Sequence, residues 1–337
     1  MGHDRTIRDC SLHFFPLAQM VVNALERSQV ALDKLHRPLL GIGLKIGATF
    51  AFTLMAAIAR HLGPEIPVGQ IVFFRSAFAF IPIVIALLMA GQGLRSLHTR
   101  QPLSHARRAF TGVLAMFTYF SALTYLPIAD VTAISFASPL IVVVLAASFL
   151  GENIRVFRWG AVLIGFVGVI IMASPHVGEG FTTDGAGVGL LFGLANAVLV
   201  AFTMIFIRMM SGVESALAIT TYFQLTCTVV SGLTLPFVWV TPSSSSLMLL
   251  IGLGILGGIG QLLMTNGYRY APASTLANFD YVAMIWAILF GWLFFGELPV
   301  AAIYWGAAIV MASGLFVVWR ERRLGLQRQA ERAIEPV

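Results

Sequence analysis

Apolar residues gather into ten runs of about 20, parted by short polar connections. They are Leu39–Ala59, Val68–Ala90, Ala106–Tyr125, Ala129–Leu150, Phe157–Ser174, Ala186–Met209, Ser215–Trp239, Ser246–Tyr268, Ala273–Phe295 and Val300–Trp319. A hydrocarbon core about 30 Å thick is crossed by roughly 20 helical residues. The expected fold is therefore an all-α membrane protein of ten transmembrane helices. Composition agrees, with 58% hydrophobic and 11% charged residues. A soluble chain of 337 residues needs more charge than that to cover its surface. The connections are too short to hold a soluble catalytic domain.

Charge placement sets the topology. With the N-terminus in the cytoplasm, eighteen of the 21 Lys and Arg fall on the cytoplasmic side: Arg5, Arg8, Arg27, Lys34, Arg37, Arg95, Arg100, Arg107, Arg108, Arg155, Arg158, Arg208, Arg269, Arg320, Arg322, Arg323, Arg328 and Arg332. Arg60 lies outside, and Lys45 and Arg75 lie within spans. This positive-inside bias puts both termini in the cytoplasm of a bacterial inner-membrane protein. The net charge of +6 is thus a topology signal and an attraction to the lipid bilayer, with no call for a nucleic-acid partner. Residues 1–36 hold only one short apolar piece, Leu12–Val22, and read as a cytoplasmic tail or interfacial helix. A second reading starts translation at Met20. Cys10 and Cys227 have neither disulfide nor metal-ligand spacing, and no cofactor or metal is expected.

The second half echoes the first. Tyr125-Leu126-Pro127 precedes Gly151-Glu152 by the same interval that separates Tyr270-Ala271-Pro272 from Gly296-Glu297. Gly112 matches Gly257 at an offset of 145, the offset that relates these two sets of motifs, and Gly43 with Ala51-Phe52-Thr53 resembles Gly193 with Ala201-Phe202-Thr203. The expected units are a tail (1–36), a five-helix repeat (37–174), a second repeat (186–320) and a cytoplasmic tail (321–337). Five spans per repeat is an odd number, so the repeats are expected to be inverted, as in many secondary transporters.

The pattern resembles the drug/metabolite transporter superfamily, within its EamA-like ten-span carriers. The motifs that carry this are Phe73-Phe74-Arg75, Ala133–Pro139, Phe149-Leu150-Gly151-Glu152 and Phe294-Phe295-Gly296-Glu297. The resemblance implies a central cavity lined by both repeats and alternating access without ATP. Members carry amino acids, nucleotide-like metabolites, riboflavin and S-adenosylmethionine. One departure is Met284, with Phe279-Asp280-Tyr281 before it, where many relatives have a proline matching Pro139.

Three charges sit deep in spans: Lys45, Arg75 and Asp280. Each is costly at the bilayer centre unless paired or facing water, which makes each a candidate for substrate binding or coupling. Lys45 and Asp280 enter from the cytoplasm to similar depth, which allows a contact between them across the repeat interface. Their repeat partners and that of Arg75 are Ala195, Ser135 and Thr220, so all three break the internal symmetry. Asp280 is the candidate proton carrier. The rival readings are a fixed salt bridge, a snorkelling Lys45 and an Arg75 bound to backbone carbonyls. Phe52, Phe78, Phe136, Phe202, Tyr222, Phe279, Tyr281 and Trp286 fall on helices expected to meet centrally and could stack on an aromatic solute. Ordinary packing is the alternative for each. Glycines crowd span eight (Gly252, Gly254, Gly257, Gly258, Gly260) and mark Gly165 and Gly168 in span five for close packing. Pro82 and Pro139 are expected to interrupt their spans, and Gly151 and Gly296 to close helices.

The expected function is secondary transport of a small organic metabolite, specifically riboflavin uptake. Alternatives within the class are S-adenosylmethionine uptake and amino-acid or metabolite export. A lipid-modifying membrane enzyme would need clustered His, Asp or Glu at one interface, and the sequence has none.

Overall fold

The computed structural model describes residues 38–89, 99, 101–150, 156–177, 185–210, 214, 216–271, 276 and 279–334. Leu12–Val22, Gly151 and Glu152 lie outside the described residues. The twelve described helices are α1 (Pro38–Leu62), α2 (Val68–Phe78), α3 (Phe80–Met89), α4 (Pro102–Tyr125), α5 (Ile128–Ser135), α6 (Ala137–Leu150), α7 (Val156–Val177), α8 (Ala186–Met210), α9 (Ala216–Val238), α10 (Ser244–Tyr270), α11 (Val282–Phe295) and α12 (Ala301–Ile334). Among the described residues, eight helical stretches are long and apolar enough to cross a membrane. Of the ten expected spans, α4 is long but more polar, and α11 is a shorter apolar helix of 14 residues.

Local sequence explains the ends and breaks. Pro102 opens α4 at a position where its missing N–H costs nothing. Ser243 caps α10 by accepting from the Ser246 N–H at 3.1 Å. Gly296 closes α11 at φ 65°, a left-handed conformation that glycine adopts freely. The second span divides at Ala79 into α2 and α3, and the fourth divides at Phe136 into α5 and α6. Pro82 and Pro139 each lie three residues past the break. A proline offers no N–H to the carbonyl four residues earlier, and its ring crowds that carbonyl. Those carbonyls belong to Phe78 and Ser135, the last residues of α2 and α5.

The packing repeats when the halves are exchanged. Helix α1 runs along α10 as α8 runs along α4, α11 meets α1 as α6 meets α8, and α10 meets α2 as α9 meets α4; α2–α9 and α7–α12 join like to like. One end of the bundle is tied by Gln70 Nε2 to the Val240 carbonyl (2.9 Å), Ser246 Oγ to Glu65 Oε2 (3.3 Å), and His176 Nε2 against Asp130 Oδ2 (3.1 Å). The opposite end is tied by Thr99 Oγ1 to Glu214 Oε1 at 2.9 Å.

The expected role of glycine holds for most positions. A Cβ on Gly258 would meet the Ala79 carbonyl at 2.7 Å, and one on Gly254 would meet that of Phe74 at 2.7 Å. Around Gly252, by contrast, nothing lies within 4 Å. The tightest crossing joins α7 to α12: a Cβ on Gly306 would sit 2.5 Å from the Gly168 carbonyl oxygen, and one on Gly168 would sit 2.7 Å from that of Gly306. Helices in lipid associate largely through such packing. Overpacking costs about 1–3 kcal/mol or more. Gly306→Leu should therefore lower the melting temperature of purified protein by several degrees, while Gly252→Leu leaves it unchanged. Equal melts for both would show that the α7–α12 crossing has slack.

Candidate functional site

The two deep charges of matching depth do meet. Lys45 Nζ lies 2.5 Å from Asp280 Oδ1. The Lys45 side chain is 4% exposed, whereas that of Asp280 is 49% exposed. A half-exposed carboxylate at this depth needs water rather than hydrocarbon around it. Helix α1 supplies Lys45, and the turn at 279–281 ahead of α11 supplies Asp280. No proline stands near that turn, so the ninth span breaks without the residue that breaks the fourth.

Both breaks meet at one aromatic contact. Phe136, between α5 and α6, touches Tyr281 edge to face, with centroids 5.2 Å apart and planes at 77°. These two residues are equivalents under the same offset that relates Gly112 to Gly257. Tyr281 adjoins Asp280, so the ion pair and the ring pair form one continuous site at the α1, α5, α6 and α11 junction. The Tyr281 hydroxyl reaches Gly314 on α12.

Five of the other aromatic candidates do not join them. Phe52 packs on Gly260. Phe78 stacks on Phe74 of the same helix (5.8 Å), and Phe202 meets Phe149 edge to face (5.8 Å). Tyr222 lies on the His105 ring (4.7 Å), and Trp286 meets Phe50 edge to face (5.3 Å). These are separate pairs rather than one stacking surface. Two crevices of about 400 and 380 Å³ open between helices. Leu40, Leu44, Leu262, Leu263 and Asn266 line the first, and Tyr281, Met284, Ile288, Tyr304 and Met311 line the second. None of the three deep charges lines either crevice.

Arg75 is 2% exposed on α2. Its Nη1 donates to Gln224 Oε1 on α9 at 2.6 Å, so the partner is a side-chain amide and not the helix-end carbonyl the sequence offered as a rival. Its Nε has no hydrogen-bond partner among the described residues. Arg108, read from sequence as a cytoplasmic loop charge, is buried at 7% exposure. It is carried inward because α4 starts four residues earlier than the apolar run. Its guanidinium lies over the Phe223 ring, 3.7 Å from the centroid.

Sequence reasoning also missed a clamp at the end of the bundle. Arg60, at the end of α1, donates to the carbonyls of Leu123 (3.1 Å) and Leu126 at the end of α4. It also pairs with Glu297 Oε1 at 2.5 Å, beyond the end of α11. Glu297 thus joins the end of α1 to the end of α11. Among the described residues no His, Cys, Asp and Glu group could hold a metal ion.

A bundle of apolar helices with broken spans meeting beside a half-exposed ion pair has the build of a membrane carrier. The EamA-like transporter family model matches the chain twice, over residues 39–174 and 187–319, and the protein belongs to that family. Similar proteins include the S-adenosylmethionine uptake transporter of Rickettsia conorii, 27% identical over 86% of this chain and 96% of that one. The riboflavin transporter of Rhizobium johnstonii is 28% identical over 89% and 95%. The pseudopaline exporter CntI of Pseudomonas aeruginosa is 28% identical over 81% and 94%. A solved crystal structure at 21% identity shares the fold, with a TM-score of 0.61 over 84% of this chain and 98% of that one.

Proposed function

We propose that this transporter is a secondary carrier of a small organic metabolite in the bacterial inner membrane, working by alternating access between two inverted five-helix halves. The observation that carries the reading is the contact of Phe136 with Tyr281, where two helix breaks related by the internal offset meet beside Lys45 and Asp280. Broken helices at the centre of a bundle expose backbone groups to a solute and are where such carriers bind.

Inversion is supported by the ends of the bundle. The α1–α2 connection touches the start of α10 through Glu65 and Ser246, while the start of α4 meets the start of α9 through Thr99 and Glu214. In parallel halves the α1–α2 connection would share its end with the α8–α9 connection. Both termini then lie on the cytoplasmic side by the distribution of Lys and Arg. Asp280 is the candidate proton-coupling group, since it is half exposed and held by a buried cation.

The relatives are named for riboflavin, S-adenosylmethionine and pseudopaline at nearly equal identity, so the solute is proposed at the level of a small organic metabolite. Riboflavin is the first solute to test, supported by the Phe136–Tyr281 pair at the crossing. The buried cations Lys45, Arg75 and Arg108 weigh against cationic S-adenosylmethionine. Purified protein in vesicles should take up riboflavin, an amino acid or S-adenosylmethionine saturably, and faster under a pH gradient. Linear, gradient-independent entry of all three would discard the carrier reading.

A further inference from the structure

Every hydrogen-bonding group buried in a membrane bundle needs a partner, because no lipid can supply one. Among the described residues, four carboxylates each have a cationic or histidine neighbour: Asp280 has Lys45, Asp130 has His176, Glu214 has His105, and Glu297 has Arg60, although Asp130 Oδ1 and Glu297 Oε2 remain unpartnered. Two buried guanidinium groups are left over. No carboxylate among the described residues lies within ion-pair distance of Arg75 or Arg108, and their contacts, Gln224 and Phe223, are neighbours on α9. Arg75 Nε, Arg108 Nε and Arg108 Nη1 all lack a hydrogen-bond partner among the described residues. So does Gln224 Nε2, whose other atom, Oε1, accepts from Arg75.

The walls around these groups are shaped for them. A Cβ on Gly112 of α4 would lie 2.7 Å from Arg108 Nη1 and 2.6 Å from Phe223 Cε2. A Cβ on Gly257 of α10 would lie 3.3 Å from Arg75 Nε. Gly112 and Gly257 are equivalents in the internal duplication, so the same glycine of each half makes room for one of the two arginines.

We propose that Arg75 and Arg108, with the Gln224 amide, form a binding site for one anionic group, a carboxylate or phosphate, on the transported solute; this rests on the carrier reading above and points to solutes that bear such a group, which riboflavin does not. Forked guanidinium donors match the oxygens of both groups. Two cations and no facing carboxylate make the site selective for negative charge. The Lys45–Asp280 and Phe136–Tyr281 junction then contacts the remainder of the solute.

The test is the thermal melt of full-length protein in phosphatidylcholine nanodiscs, titrated with sodium phosphate and in parallel with sodium acetate, against sodium chloride of equal ionic strength. Phosphate or acetate should raise the melting temperature saturably above the chloride control. Arg75→Gln and Arg108→Gln should each weaken that response about tenfold or more, the loss of a charge-assisted pair. The charge-keeping Arg75→Lys and Arg108→Lys guard against misfolding of the glutamine variants, and should keep the response at severalfold weaker affinity. Nanodiscs of phosphatidylglycerol should give the same phosphate titration, because both arginines are buried away from lipid. An absent response in the wild type, an equal response in all variants, or a response abolished by phosphatidylglycerol would each overturn the assignment to a solute anion. Saturable uptake without the anion response discards this site and keeps the carrier; the converse keeps the site and discards the carrier.

Discussion

An Asp280→Asn variant should exchange solute across the membrane but lose uphill accumulation driven by a pH gradient. The carboxylate is the titratable member of the central pair, half exposed while its partner Lys45 is buried. If protonation releases Asp280 from Lys45, it changes the net charge of the crossing by one and loosens α1 from the α11 turn. Those elements belong to different halves, so a proton there can bias which side is open. Asn keeps the shape and removes the proton. Accumulation should fall at least tenfold, with saturable exchange retained. The rival is a fixed ion pair. Taking one member from a buried pair costs about 3–5 kcal/mol, so under the rival Asn would lower the melting temperature sharply, and Lys45→Met with Asp280→Asn would restore it. Uphill accumulation unchanged in Asp280→Asn would remove the coupling role.

Arg60→Gln should loosen the end of the bundle proposed to face outward. Arg60 is the hub of that end: it holds two carbonyls at the end of α4 and the Glu297 carboxylate, and lies 5.5 Å from the Phe295 ring centroid. These contacts join α1 and α4 of one half to α11 of the other, so they exist only while this end is closed. Partly buried charge-assisted bonds contribute about 1.5–3 kcal/mol. Losing that much shifts a two-state equilibrium roughly tenfold to a hundredfold toward the open form. A cysteine at Met55, buried on α1 below the clamp, would report it. With the native cysteines replaced by Ser, Met55→Cys should react with an impermeant thiol reagent at least tenfold faster when Arg60 is Gln. Equal rates would mean that Arg60 is no part of the closure.

Much of this was legible from local chemistry. Pro82 and Pro139 broke their spans where a missing N–H must, and Gly296 took the left-handed turn that its place after an apolar run requires. Lys45 and Asp280 met because depth along a span can be counted from its entry point. What depth does not give is azimuth around a helix, and that is where the reading failed to gather. Phe202, Tyr222 and Trp286 each turned toward a neighbouring helix instead of a common surface. Arg108 was hidden by four residues, the distance by which Pro102 starts α4 ahead of the apolar run. Arg60 and Glu297 pair across most of the chain, and no local pattern links them. The break ahead of α11 has no proline to announce it.

Oppositely threaded halves are what alternating access requires here, and loop sidedness tests them most directly. Single cysteines at Glu65 and Ser245, and separately at Thr99 and Glu214, would be labelled in intact cells with an impermeant maleimide. Positions 65 and 245 should react from outside, and 99 and 214 only after the membrane is opened. Labelling of 65 and 214 from the same side would contradict the inverted arrangement and the carrier cycle built on it.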